Sequence, residues 1–497
     1  MLDDLTRIGP VLVMAVVAAA IIVWDALPSG KPLPAARGKA LLIVSMLAPI
    51  GAAVWALGLR LNDETGWSFA NSVILDDLSY FFVFIFCGVA AAIILASQDY
   101  AKRFGNYEAE YYALILFASS AMMLLANSRD LVLIFVALET TSITQYILAA
   151  LQKDQKSTEA GMKYLLLGAT ASAVILYGMA YLFGLTGTTR LVAPGDELSI
   201  ASAIAERGAD LQAGLILASV FMIAGLGFKM AVVPFQMWAP DVYEGSPAPV
   251  AAFLSVASKA AAFAVVLRIF FEGLPDDSIS ADWSVIFAVI AAISMTVGNV
   301  FALVQTNIRR LLGYSSIAQA GNFMVGLAAI KADEGLGLGA SGVLFFIASY
   351  AFTNLGAFMA IIAISGKTGS DEISDYAGLA KRSPMLAIGL GLALISLTGI
   401  PPTAGFIAKL YIFNAAVQSD LIWLVVIAVL NSVISAFYYL RITGLIFTGE
   451  PADARSIAVP ATLKLALGVA VAGILVIGIA PTPLLDAARE AAAVFPK

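Results

Sequence analysis

Runs of roughly 17–25 apolar residues, each long enough to cross a bilayer as a helix, recur from one end of the chain to the other. Polar stretches containing Lys, Arg, Asp, Gly or Pro separate them. Fourteen spans are predicted, at about 8–27, 40–59, 78–97, 111–127, 131–151, 160–184, 213–238, 249–271, 283–304, 311–330, 341–365, 385–417, 421–447 and 460–480. The pattern is that of an all-α polytopic membrane protein. Its acidic opening, MLDDLTRIGP, leads straight into the first run and reads as the start of a transmembrane helix instead of a cleaved leader.

Composition supports this reading and removes several functions. Of 497 residues 61% are hydrophobic and 12% charged. The mean hydropathy is +0.92, and a soluble domain carries about twice that charged fraction. The net charge of −6 includes no basic cluster suited to nucleic acid. With no histidine and a single cysteine, Cys87, the chain has no usual ligand set for haem, an iron–sulfur cluster or structural zinc. Cys87 lies inside an apolar span and reads as a small packing residue.

Short loops rich in Lys and Arg stay in the cytoplasm, and this sets an orientation. Loops after odd-numbered spans hold thirteen of the 28 basic residues: Lys31, Arg37, Lys39, Lys102, Arg103, Lys153, Lys156, Arg309, Arg310, Lys367, Lys381, Arg382 and Arg455. The other side holds eight: Arg7, Arg60, Arg129, Arg190, Arg207, Lys331, Arg489 and Lys497. Both termini are expected to face away from the cytoplasm.

A repeat is visible at an odd spacing of spans. TSITQ at 141–145 in span 5 resembles SSIAQ at 315–319 in span 10, and Gly225 precedes Lys229 in span 7 as Gly405 precedes Lys409 in span 12. Five spans separate each pair, so the copies cross the membrane in opposite directions, as in the inverted repeats of ion-transporting folds. The expected organisation is a three-helix segment at 1–110, a first repeat at 111–272 (spans 4–8), a second, inverted repeat at 273–448 (spans 9–13), and a C-terminal helix at 449–497. Spans 7 and 12 are expected to be discontinuous.

Four ionisable residues lie deep in spans: Glu139, Lys229, Lys259 and Lys409. Unpaired, they represent on the order of 10–14 kcal/mol of insertion cost. Pairing that merely ties helices together does not account for them, because three lysines face one clear acid and at least two cations are left over. Desolvation disfavours the ammonium form, and like charges disfavour it further, so lysines in such a row are candidates to exchange protons. Glu139 beside one of them is expected to hold it protonated. Lys163, Arg268, Arg441 and Lys464 lie near span ends and are expected to snorkel to the interface; Asp25, Asp76, Asp77 and Glu272 are likewise terminal.

Proline breaks accompany the lysines. Pro234 is expected to free the carbonyl of Met230 next to Lys229, and Pro401 and Pro402 those of Leu397 and Thr398. Irregular backbone at this depth is tolerated where it lines a protein-enclosed or watered cavity. Hydroxyls and amides near the charges, among them Thr140, Thr141, Ser142, Thr144, Ser255, Ser258, Tyr314, Ser315, Ser316, Gln319, Asn322, Asn354, Thr398 and Asn431, offer intermediate stations, although most are expected to serve helix packing.

GFKMAVVPFQMWAPDVYEGSPAPV at 227–250, RRLLGYSSIAQAG at 309–321, GIPPTAGFIAKL at 399–410 and KYLLLGATASAVILYGMAYLFGLTGT at 163–188 resemble the antiporter-like membrane subunits of proton-pumping NADH:quinone oxidoreductase, respiratory complex I. The last segment, and lysine at 409 without a long C-terminal extension, resemble the subunit N type. The resemblance implies that Glu139, Lys229, Lys259 and Lys409 form a central axis of proton translocation. It also implies a multi-pass protein of the bacterial inner membrane, with other membrane subunits as partners. No cofactor is implied in this chain; FMN, iron–sulfur clusters and quinone would belong to other subunits. Gln236 departs from the family, which often has histidine after PF. Two alternatives stand beside this expectation: a subunit of a multisubunit cation/proton antiporter, and a structural spacer that transports nothing.

Overall fold

The computed structural model describes residues 2–26, 34–275, 277–330, 336–451 and 455–495, with the backbone alone at 34–36, 209, 277–278 and 336–337. Lys31, Lys331 and Lys497, which entered the orientation count, lie outside the described residues.

The long helices are α1 (Gly9–Ala26), α2 (Pro34–Leu61), α3 (Asp77–Ala96), α4 (Glu108–Asn127), α5 (Leu131–Ala150), α6 (Gln155–Thr186) and α7 (Ile200–Met230). They continue as α8 (Ala248–Gly273), α9 (Asp277–Ala302), α10 (Ile308–Ala328), α11 (Leu336–Thr368), α12 (Pro384–Thr398), α13 (Ala404–Gln418), α14 (Ile422–Thr448), α15 (Ala461–Ile479) and the short α16 (Thr482–Ala492). The protein is therefore all-α and multi-pass. Among the described residues twelve helices are long and apolar enough to cross a membrane. Two expected spans are not among them. Span 10 is the helix α10, whose Arg309, Arg310, Ser315, Ser316, Gln319 and Asn322 lower its hydropathy; span 12 is divided into α12 and α13.

Span 7 needs correction at its end. The expected helix ran to residue 238, but α7 stops at Met230, where Ala231 turns into the left-handed region and its N–H caps the carbonyls of Gly227 and Phe228. Pro234 thus follows a finished helix instead of interrupting one. In span 12 the division falls at the prolines: Gly399, with φ of 89°, ends α12, and α13 begins at Ala404.

The interior centres on α8, which is buried along its whole length, with α11 nearly so. Its alanine-rich sequence lets neighbouring helices approach closely. Two of its segments, Leu254–Ser258 and Leu267–Gly273, wind as π-helix on either side of Lys259–Val266. Glycine permits other close crossings: a Cβ on Gly225 would lie 2.5 Å from Ile175 Cβ in α6, and one on Gly405 would lie 1.9 Å from the carbonyl oxygen of Ser396.

The first and last described segments lie on one face. Arg7 pairs with Glu64 at 2.8 Å and Arg60 with Glu490 at 2.7 Å. A small antiparallel ribbon, β1 (Gly66–Ser68) with β2 (Val73–Leu75), sits on this terminal face. So does the amphipathic α16, which buries Ala488, Ala491 and Ala492 and exposes Glu490.

Candidate functional site

The three lysines expected at depth are all buried, with 6% of Lys229, 3% of Lys259 and 6% of Lys409 exposed. Each meets that burial differently.

Lys409 sits one turn into α13 and points back across the break. Its Nζ donates to the carbonyls of Thr398 at 2.9 Å and Leu397 at 3.2 Å, and to Ser432 Oγ at 3.3 Å. These are the carbonyls that Pro401 and Pro402 leave without helical donors. Hydrogen bonds to a charged group contribute about 1.5–3 kcal/mol each, so three of them offset much of the cost of burying an ammonium.

Lys259 follows directly on the π segment of α8, a distortion that is frequent at functional sites. Its Nζ donates to Ser316 Oγ at 2.6 Å and to the carbonyl of the same residue. Ser316 also meets Tyr243 at 3.2 Å and accepts from Tyr350 at 3.4 Å. The first and second expected repeats therefore touch at Lys259.

Lys229 has no hydrogen-bond partner among the described residues. Its Nζ lies 5.3 Å from the centre of the Tyr146 ring, 5.5 Å from Tyr164 and 5.7 Å from Phe228. Aromatic faces within ~6 Å attract a cation by about 0.5–2 kcal/mol each. The expectation that Met230 would supply a carbonyl to this lysine is not met. The helix end is closed otherwise: Trp238 Nε1 donates to Phe228 O at 2.7 Å, and its ring stacks on Tyr164.

Glu139 is half-buried and accepts from Ser172 Oγ. It forms no ion pair with Lys229 among the described residues. The expected hold on the lysine is therefore not a direct contact, although the charge of Glu139 still acts on Lys229 across the gap between them, and Glu139 lies toward the lateral surface of the bundle.

Polar groups connect the lysines. Tyr164 Oη and Ser258 Oγ both donate to Gln145 Oε1, at 2.8 and 3.1 Å, which links the surroundings of Lys229 to the residue preceding Lys259. Beyond Ser316, α10 presents Ser315 to Tyr439, while Gln319 Nε2 donates at 3.2 Å to Leu397 O, the same oxygen that accepts from Lys409. Gln145 and Gln319 close the two similar motifs TSITQ and SSIAQ, so the repeated glutamines occupy corresponding places in this line. By contrast Thr140, Thr141, Ser142 and Thr144 donate to carbonyls of their own helix. The tyrosines 146, 164, 243, 350 and 439 were not expected from the sequence, where an aromatic in an apolar run carries no distinguishing signal.

A second buried charge cluster corrects the sequence reading more sharply. Arg268, expected to snorkel, is fully buried. Its guanidinium grips Asp76 with two bonds, at 2.7 and 2.8 Å, and also donates to Glu272, Ala126 O and Ser79. Arg129 meets Asp76 at 3.2 Å and Glu272 at 2.6 Å. Two cations and two carboxylates close a neutral quartet beneath the terminal face. Asp76 lies one residue ahead of α3; burial pushes its carboxyl upward most, but Arg268 and Arg129 outweigh burial and hold it well below the usual carboxylate range. The i, i+4 spacing of Arg268 and Glu272 was the one local clue. Lys163 does stay at the opposite surface, half exposed and paired with Glu159 and Asp241 at 2.8 Å each.

Residues 128–435 match the family described as NADH:quinone oxidoreductase/Mrp antiporter, TM. NADH-quinone oxidoreductase subunit N of Dehalococcoides mccartyi is 42% identical over 97% of this chain and 98% of its own length. A chain of respiratory complex I from Thermus thermophilus superposes with a TM-score of 0.79 at 30% identity, covering 96% of this chain and 98% of that one. A chain of the Mrp complex from Dietzia superposes at 0.84 with 20% identity, over 100% and 98% of the two chains, a likeness of fold alone.

Proposed function

Because the chain belongs to the NADH:quinone oxidoreductase/Mrp antiporter membrane family and is a subunit N relative within it, we propose that it translocates protons as a membrane subunit of NADH-quinone oxidoreductase. Its partners are other membrane subunits of that assembly. Flavin, iron–sulfur and quinone chemistry belongs to other subunits of the assembly, and the membrane is the bacterial inner membrane with both termini on its outer side.

In this reading Glu139, Lys229, Lys259 and Lys409 exchange protons along the line through Gln145, Ser316 and Gln319. The observation that carries it is the contrast among the lysines. Lys409 and Lys259 hold fixed acceptors, whereas Lys229 lies buried in an aromatic box with none among the described residues. A site with no acceptor committed to one charge state changes that state with the least rearrangement. Electron transfer in partner subunits would shift the populations of these charge states, which is how a distant reaction drives a coupled equilibrium. The two expected repeats, spans 4–8 and 9–13, then each contribute one such lysine, Lys229 in the last turn of α7 and Lys409 beyond the break between α12 and α13.

The test is Lys229→Ala in the assembled complex, reconstituted into liposomes. Normal assembly with NADH-driven proton pumping lost supports the relay; unchanged pumping overturns it and leaves the spacer reading. Sodium-for-proton exchange without any redox partner would favour the antiporter reading, for which the present support is likeness of fold.

A further inference from the structure

An apolar groove of about 530 Å³ runs inward from the terminal face between α3, α11 and α15, under α16. Below Asp77 at the mouth its lining along α3 extends from Tyr80 to Ala92, and along α11 from Ala348 to Met359. At 1.5 Å per residue the α3 side measures roughly 18 Å. That is close to one leaflet, half of a hydrocarbon core of ~30 Å. The floor is made by small side chains, and a Cβ placed on Gly88 would meet nothing within 4 Å.

The mouth of the groove is charged. Arg60, Asp77 and Glu490 line it, with Arg60 joined to both carboxylates and lying over the Tyr80 ring at 5.5 Å. All three are partly exposed, so each has hydrogen-bonding capacity left for a further group. One cation beside two carboxylates leaves the mouth with a net negative charge. This disfavours an anionic headgroup and suits one that brings a phosphate for Arg60 together with an ammonium for Asp77 and Glu490.

We propose that this groove binds one zwitterionic, amine-headed phospholipid of the terminal-face leaflet, with an acyl chain laid along Phe84–Ala92 of α3 and the headgroup at Arg60. The depth of one leaflet, the polar trio at its upper end only, and the absence of any polar group lower down that would suit a helix with polar side chains all favour this occupant. α16 would then pack partly on lipid, its Leu484 and Ala487 covering the chain near the headgroup.

The experiment uses the assembled complex in nanodiscs containing phosphatidylethanolamine with a photoreactive diazirine midway along one acyl chain. After irradiation, label is expected on peptides covering Phe84–Ala92 and Ala348–Leu355, displaced by excess unlabelled phosphatidylethanolamine but not by phosphatidylglycerol. Gly88→Trp, which fills the open space, should abolish most of this label, and Glu490→Gln, at the exposed rim, should reduce selectivity against phosphatidylglycerol. Label spread evenly over other lipid-facing helices such as α14 overturns the proposal. So does equal displacement by phosphatidylglycerol, displacement by a quinone instead, or protection of the groove by a neighbouring subunit.

Discussion

Lys409 Nζ reaches back eleven residues to the carbonyl of Thr398, 2.9 Å away, on the other side of the break between α12 and α13. Gly399 makes that approach possible. It has φ of 89°, and a Cβ there would lie 3.0 Å from Cδ of Lys409. Gly399→Ala is therefore expected to cost about 1–2 kcal/mol through left-handed backbone alone, and to push the lysine off its acceptors. Proton pumping per NADH oxidised should fall with the lysine still present. Full pumping in this variant would show that the carbonyl contacts are dispensable.

Ser316 gathers Lys259, Tyr243 and Tyr350 at one hydroxyl. Ser316→Ala removes that oxygen but leaves the backbone carbonyl. Loss of a charge-assisted bond predicts destabilisation of about 1.5–3 kcal/mol and slower pumping. Ser316→Thr, which keeps a hydroxyl, should restore more pumping than it restores thermal stability, because its extra methyl must be packed. The two readouts are pumping in vesicles and heat-induced loss of the assembled complex.

Arg268→Met leaves Asp76 and Glu272 buried with Arg129 as their remaining cation. Breaking a buried pair on one side typically costs about 3–5 kcal/mol, so little assembled complex should accumulate. Asp76 adds a pH dependence whose direction is fixed. Its carboxyl is held below the ordinary value of ~3.9. The stability it contributes is thus present above about pH 4 and is lost only as pH falls through the lower folded value. Mild acid should leave wild type intact. A loss of stability beginning near pH 6 would contradict this assignment.

Asp241, on the opposite face, provides the contrast. Burial is the largest influence and acts upward, but hydrogen bonds from Lys163 and Arg310 outweigh it and hold the carboxyl below its usual range. The same sign applies, so its contribution also persists above about pH 4 and fades below. Its partners are solvent-exposed, and such bridges contribute about 0–1 kcal/mol each. Asp241→Asn should leave assembly close to wild type by native gel, far from the loss expected for Arg268→Met.

Long apolar runs made the helices legible, because a bilayer demands both length and hydrophobicity of each one. PP at 401–402 marked the break in span 12 for a local reason, the missing donors. The end of α7 was misread because its stop depends on Ala231 adopting a left-handed turn, which the residue type does not announce. Arg268 looked like an interfacial residue since its main partner, Asp76, is 192 positions away in the chain. α10 is a converse case: its polarity, which weakens it as a span, supplies Ser315, Ser316 and Gln319 to the interior line. The lysines could be found as isolated charges, but what each one touches depended on helices brought together only by folding.

The unequal exposure of Glu139 and Lys259 has an electrical meaning. α8 is wrapped on all sides, so Lys259 is insulated: no adjoining chain can touch it. Glu139 stands at the flank, half-buried, and is open to the surroundings of the bundle. In the proposed relay, a signal from outside would therefore meet Glu139 first and reach Lys259 only at second hand, like current through a shielded lead.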